Sequence, residues 1–451
     1  MSAAVIGTAA AGASVPRYTS YPTAPHFRDG EGDRASRGLF EAAAAAEAIS
    51  AYVHIPFCDR LCWFCGCHTK QVLRYGPVAD YVGSLVGEIG LVAAAIAKAP
   101  PVAHLHLGGG SPSMLSADDA ARIREAFERG FGFTGDAEIC IEIDPSDSEQ
   151  EGIGPLLAMG VTRASIGVQD FDPRVQRAIN RIQTYEQTAR VVGELREAGV
   201  GSVNIDALYG LPHQTMATIE ETMARVVALA PDRVALFGYA HVPWVKKHQR
   251  LIPEDALPGP QERLALAARA AEMLAAAGYE RIGIDHFARP GDSLAAAARE
   301  GTLRRNFQGY TTDSCDVLVG FGASAIGRYP GGYVQNIVAT SRYRECVDGG
   351  RIPAGRGYML SRDDVMRGHV IERLMCDFAV SYDGLRRRFG GDAESLVGEM
   401  EEAAANGLAA FAVADGSSFR VRDEARAYAR IVASRFDAYL DKGGFRFSKA
   451  V

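Results

Sequence analysis

Four of the eight cysteines fall within ten residues, in the run Cys58-Asp-Arg-Leu-Cys62-Trp-Phe-Cys65-Gly-Cys67, while Cys140, Cys315, Cys346 and Cys376 are scattered. This is no disulfide framework, and the crowded four read as metal chemistry. Three thiolates at C-x3-C-x2-C spacing can hold an iron–sulfur cube from one loop and leave its fourth iron without a protein ligand. Such an iron can be chelated by the amino and carboxylate groups of S-adenosylmethionine, which sets the sulfonium beside a reducing cluster able to cleave it to a 5′-deoxyadenosyl radical. Structural zinc fits less well, because it usually takes four tetrahedral ligands from two separated pairs. Inert buried thiols fit less well still, given four in one loop. Cys67 stays open between a spare ligand, a proton or electron relay and packing.

Other residues have chemistry that suits such a ligand. In HLGGGSPS (106–113) the consecutive glycines let backbone approach a ligand that a Cβ would block, although a simple tight turn explains them too. Glu142 ends the run EICIEI, where a carboxylate can accept from an ammonium or from ribose hydroxyls. Gln169, Arg181 and Asp206 offer a carboxylamide, a cation and a carboxylate, suited to the two charged ends of an amino acid and a ribose. Taken singly, each of them reads as a surface or supporting residue. Arg181 is no ligand and lies far along the chain from the cysteine loop, so its loss is expected to leave that loop intact. Tyr52, Phe64, Ala240 and Ile326 read as core. His54 and His106 read as partly buried strand histidines, and no Ser/His/Asp or HExxH arrangement appears.

The elements that must position these residues follow a βα rhythm. Strands are expected at 51–55, 103–107, 138–143, 163–168, 202–208, 233–239 and 280–284, with amphipathic helices at 79–98, 117–130, 184–199 and 260–278. The fold class is α/β, a TIM-like (β/α) barrel, complete or partial, in which function gathers at the strand C-termini. The division expected is an N-terminal arm (1–50), with a helix around 38–48, the barrel (51–300), and a smaller α-rich C-terminal domain (301–451) covering the barrel mouth. Helices are expected there at 363–378, 392–407 and 424–440, with a hairpin before the last that would allow a winged-helix-like shape. Phe307 and Gln308 are placed to close the mouth.

The chain has 451 residues, 47% hydrophobic and 23% charged, with a formal net charge of −7. That balance is ordinary for a soluble globular protein and argues against a general nucleic-acid binder, so any anion site must be local. No basic leader opens the sequence and no run approaches the ~20 uninterrupted apolar residues of a membrane helix, so a cytoplasmic protein is expected.

The run YVHIPFCDRLCWFCGCHTK, with its fourth cysteine two residues past the third, resembles the signature of the oxygen-independent coproporphyrinogen III oxidases of the radical S-adenosylmethionine superfamily. PRYTSYPT, HLGGGSPS, EIDP, SIGVQDF, NIDALYGLP, FGYAHVP, DHFARP and RNFQGYTT stand in family order, so the resemblance covers nearly the whole chain. It implies a radical-SAM barrel with a [4Fe-4S] cluster on Cys58, Cys62 and Cys65, and two bound S-adenosylmethionines. Tyr52, Phe64, Gly109, Gly110, Ser111, Glu142 and Ile326 would serve the first, and Gln169, Arg181, Asp206 and Ala240 the second. The glycine motif departs from the usual GGTPT by losing a methyl while keeping a hydroxyl. The implied reaction turns two propionates of coproporphyrinogen III into vinyl groups with loss of carbon dioxide, giving protoporphyrinogen IX. It needs an electron donor and an acceptor, both unidentified, and no nucleic acid or membrane; the chain is expected to be a monomer. A tetracarboxylate substrate calls for arginines, and Arg17 in PRYTSYPT is the first choice. The rivals are a haem chaperone of the same superfamily, a haem-degrading radical methyltransferase, and a winged-helix regulator with an iron–sulfur sensor. Cys67 and the arm argue against the chaperone, and the mixed charge of the last helix against the regulator.

Overall fold

The computed structural model describes residues 13–147, 152–440, 442, 444 and 446–448. The first twelve residues of the expected arm lie outside that set.

Six strands run parallel in sequence order: β1 (Ile49–Ile55), β2 (Val102–Gly109), β3 (Phe133–Ile143), β4 (Arg163–Gln169), β5 (Ser202–Tyr209) and β6 (Arg233–Gly238). Helices α2 (Gly76–Ala95), α3 (Ala117–Gly130), α4 (Tyr185–Glu197) and α5 (Met216–Ala228) carry the chain between them, and α6 (Pro260–Ala276) follows β6. The sequence marks their starts: Ser116 caps α3 by accepting from Asp119 N, and Thr184 forms a capping box with Gln187 at α4.

Strands of a parallel sheet covered on both faces read as continuous apolar runs, but these alternate. In β4 the residues Ala164, Ile166 and Val168 are buried in the core shared with the helices. Their neighbours Arg163, Ser165, Gly167 and Gln169 line a cavity inside the barrel. The same holds for Ile139, Ile141 and Ile143 against Glu138, Cys140 and Glu142 on β3. Period-two alternation thus builds an apolar outer wall and a polar chamber at once.

The barrel is partial. Beyond β6 the sheet continues antiparallel through β8 (His286–Ala288) to β7 (Glu280–Ile282). On the other flank β9 (Leu318–Phe321) pairs parallel with β1, followed antiparallel by β10 (Ile326–Tyr329), β11 (Gly332–Asn336) and β12 (Ala354–Met359), and the sheet ends at Arg28–Asp29. The two ends do not pair. One expectation changes here. The segment holding β9 to β12, assigned by sequence to the α-rich domain, belongs to the main sheet, because short strands without βα rhythm gave no sign of which sheet they extend. Helix α2, among the described residues, is long and apolar enough to cross a membrane by length and composition. It buries Val78, Tyr81, Val82, Leu85, Ile89 and Val92 in the barrel core.

The helical part begins at α7 (Arg362–Cys376) and includes α8 (Ala393–Ala405). Strands Ala379–Ser381, Ala412–Ala414 and Ser418–Val421 make a three-stranded antiparallel sheet beside them, and the expected last helix is a 3-10 turn (Asp423–Tyr428) running into Ala429–Ser434. Tyr18 and Tyr21 of the arm are buried in this second core, while α1 (Gly32–Ala45) packs on β11 and β12. The arm therefore bridges both cores.

Candidate active site

The cysteine loop leaves the end of β1 and is tied down at its carbonyl oxygens by distant segments. His248 Nε2 bonds Cys65 O and Lys246 Nζ donates to Cys67 O, both at 2.8 Å, while Gln249 Nε2 donates to Phe64 O at 2.9 Å. Asn180 Nδ2 donates to Leu61 O at 2.9 Å from the other side. Carbonyls held outward free the thiols to face inward, and Cys58, Cys62, Cys65 and Cys67 all line the chamber, whose volume is about 520 Å³. Cys67 is exposed in surface terms although protein encloses it, so its open surface faces the chamber. Its N–H donates to Cys65 Sγ at 3.3 Å.

The three glycines after β2 sit where a side chain has no room. A Cβ on Gly108 would stand 2.6 Å from Glu142 Oε1, one on Gly109 2.5 Å from the His54 ring, and one on Gly110 2.4 Å from Phe57 O. Gly109 also has φ of +111°. The sequence expectation was room for a ligand; what fills the space is the protein's own ring, carboxylate and backbone. Glu142 accepts from Gly109 N at 3.1 Å and bonds His106 Nε2 at 3.1 Å. Burial would raise its pKa, but His106 and the Gly109 N–H outweigh this and hold it below the usual carboxylate range. Ser111 Oγ donates to Asp147, whose carboxyl burial and neighbouring Asp144 push up to about 7.

Arg181 is where sequence distance misled. Its Nη1 donates to Asp144 Oδ2 at 2.8 Å and lies 3.5 Å from Cys62 Sγ, 119 residues away, and its Nη2 donates to Gly167 O at 2.5 Å. It supports the cysteine loop directly, contrary to the expectation that it stands apart. Asp206 accepts from Asn204 Nδ2 at 2.7 Å and Ser165 Oγ at 3.1 Å, and burial followed by the Glu142 charge raises its pKa to about 6.

Of the residues singled out by sequence, the cysteines, Phe64, Gly109, Gly110, Ser111, Glu142, Gln169, Arg181 and Asp206 meet in this one chamber, as do Arg17, Phe307 and Gln308. Tyr52, Ala240 and Ile326 stand outside its lining. Tyr52 OH bonds His54 Nδ1 at 2.9 Å, Ala240 O accepts from Gln249 at 3.2 Å, and Ile326 pairs with Gln335 across β10 and β11. Asp144 was within reach of sequence reasoning, inside EIDP. Lys246, His248 and Gln249 were not, since nothing in VPWVKKHQR says that it clamps a loop 180 residues earlier.

Residues 52–226 match the Radical SAM superfamily. An oxygen-independent coproporphyrinogen III oxidase of Bradyrhizobium diazoefficiens is 46% identical over 97% of both chains. One from Escherichia coli K12 is 40% identical over 95% of this chain and 93% of its own. The solved radical-SAM coproporphyrinogen III oxidase from Escherichia coli superposes with a TM-score of 0.89 at 38% identity, over 94% of this chain and 98% of that one. The chain belongs to the oxygen-independent coproporphyrinogen III oxidases. These are radical SAM oxidoreductases of haem biosynthesis, with a [4Fe-4S] cluster and S-adenosylmethionine as cofactors. The residues fit the cluster: three thiols from one loop face one chamber, and the loop's carbonyls are bonded away from it. For an oxidase of this family the surrounding charge also makes sense. An ionised Glu142 faces the chamber, and guanidiniums line it both beside the thiols, at Arg181, and beside Asp285, at Arg305.

Proposed function

We propose that this chamber converts two propionate side chains of coproporphyrinogen III to vinyl groups, giving protoporphyrinogen IX. The observation that carries the reading is that thiols, an ionised carboxylate and buried guanidiniums share one enclosed space. Cys58, Cys62 and Cys65 would hold the cluster, with Tyr52, Phe64, Gly109, Gly110, Ser111, Glu142 and Ile326 serving the S-adenosylmethionine beside it. Gln169, Arg181, Asp206 and Ala240 would serve a second. When bound, cluster and cofactor would supply a carbon-centred oxidant able to take a hydrogen atom from a propionate β-carbon. Each propionate then gives up that hydrogen, carbon dioxide and one electron to become a vinyl group, so a donor to the cluster and an acceptor for the released electron are required. Glu142, ionised and oriented by His106 and Gly109 N–H, can accept from an ammonium.

Eight free thiols favour a reducing compartment, the cytoplasm. Anaerobic turnover with dithionite, S-adenosylmethionine and coproporphyrinogen III tests the reading. Release of 5′-deoxyadenosine together with carbon dioxide and protoporphyrinogen IX is expected. Cofactor cleavage with coproporphyrinogen left intact would favour the haem-chaperone reading instead.

A further inference from the structure

Five arginines gather at the β5–β6 side of the chamber: Arg17 of the arm, Arg281 of β7 and Arg430 of the C-terminal part near both Asp285 and Tyr209, Arg263 in α6 near Tyr209, and Arg305 after the barrel strands near Asp285. Arg17 Nη2 donates to Gly238 O at 2.7 Å, and Arg263 Nη2 donates to Tyr239 O at 2.8 Å. Carbonyl oxygens satisfy hydrogen bonds and leave the positive charge in place. Arg305 Nη1 stands 3.8 Å from Asp285 Oδ1 and its guanidinium 4.5 Å from the Tyr310 ring centroid. Its Nε and Nη1 are buried with no hydrogen-bond partner among the described residues.

The crowding does not act alike on all of them: despite burial, Tyr310 and Asp285 hold Arg305 above the usual guanidinium value, whereas burial lowers Arg17, Arg263 and Arg430. Burial, with Arg17 and Arg305 repelling, pushes Arg430 down to about 9, and burial lowers Arg17 even against the pull of Asp285. Arg17 is exposed in surface terms yet enclosed by protein, and both Arg17 and Arg305 line the chamber. An enclosed wall with two guanidiniums facing one carboxylate is built for an anion, and a planar fork suits a carboxylate.

The location decides which carboxylate. Arg17 is pinned at the end of β6, whereas Glu142 ends β3 and the thiols follow β1. Three strand spacings separate β3 from β6, about 14 Å along the sheet. A carboxylate clamped by guanidiniums is stabilised as an anion, so clamping one that must leave as carbon dioxide would oppose the reaction. Clamping one that stays costs the reaction nothing and fixes the substrate's orientation. Resting on the function proposed above, we infer that Arg17 and Arg305 bind the two propionates that survive the reaction, and so determine which edge of the macrocycle faces the cysteines.

The test uses the anaerobic holoenzyme and two stable porphyrins: coproporphyrin III, with four propionates, and mesoporphyrin IX, which keeps only the two that survive and has ethyl groups in place of the reacting pair. Both should bind, and Arg305→Gln and Arg17→Gln should each weaken both by a similar 10- to 100-fold, with iron content and circular dichroism unchanged. Weakening of coproporphyrin alone would assign the arginines to the reacting propionates and overturn the inference. Loss of an S-adenosylmethionine equivalent with porphyrin affinity unchanged would overturn it in favour of the cofactor's own carboxylate. Should Arg305→Gln fail to fold, Arg17→Gln decides, since its visible bond is to a backbone carbonyl. Failure of wild-type protein to bind either porphyrin would instead count against the function reading.

Discussion

Gly109 and Arg181 show how much one atom position carries. At Gly109 a methyl would meet the His54 ring on a backbone of positive φ, so Gly109→Ala combines overpacking with strain. Together these cost roughly 2–4 kcal/mol. Gly193, in the middle of α4, has nothing within 4 Å of an added Cβ, and alanine there should stabilise by about 0.5–1 kcal/mol. Thermal unfolding of the two variants should therefore move in opposite directions, and a Gly109→Ala protein as stable as its parent would contradict the packing described. Arg181→Ala removes one of the two guanidiniums beside the half-buried Asp144, leaving Arg60, and strips Cys62 of its cationic neighbour, a loss of about 1.5–3 kcal/mol. Lower iron content after anaerobic reconstitution is expected, partly restored in Arg181→Lys. Full iron loading in Arg181→Ala would return the residue to the detached role suggested by its sequence position. The cysteines were legible because one loop holds all of them. Arg181 was only half legible: its chemistry is in the sequence, its neighbour is not.

Among the elements, α2 was expected from its periodicity, but its function in the fold comes from one polar residue. Glu88 is buried and accepts from Gly322 N at 2.7 Å, Asn336 Nδ2 at 2.6 Å and Tyr343 OH at 2.5 Å, tying the helix to the strands β9 to β11 and to the helix Thr340–Asp348. Burial pushes its pKa up to about 7 against those three bonds. In the unfolded chain the group titrates near ~4.3, so between the two values the folded protein keeps a proton that the unfolded chain has lost. Its contribution is therefore fully present below the unfolded value and is lost as pH rises through about 7. The stability of the parent relative to Glu88→Gln should fall by roughly 3 kcal/mol between pH 4.5 and 7.5. Unfolding curves of both proteins across that range check this, and a constant difference would mean that the three bonds cancel the burial. Strands β1 to β6 were readable from their alternating apolar runs. Strands β9 to β12 were not assignable, because four to six residues do not specify a pairing partner.

For the whole molecule, the arm is the joint between two cores. Tyr18 OH donates to Asp437 Oδ2 at 3.0 Å, Arg430 Nη2 donates to Val15 O at 2.7 Å, and Phe27 stacks on Tyr333 with centroids 5.2 Å apart. Deleting residues up to 27 should uncouple the two cores, so that calorimetry shows two transitions where the parent shows one; a single transition at the parent's temperature would make the arm dispensable to stability. The sequence by itself determined that four cysteines crowd into one loop, the βα order of the main strands and the resemblance that names the family, because these depend on residue type and short spacing along the chain. The tertiary structure alone decided that Arg181 touches Cys62, that Lys246, His248 and Gln249 clamp the cysteine loop, that β9 to β12 extend the sheet and that Arg17, Arg305 and Arg430 meet around Asp285. Each of these is a contact between segments far apart in the chain, and the packing of the whole sheet, which no local pattern encodes, brings them within reach.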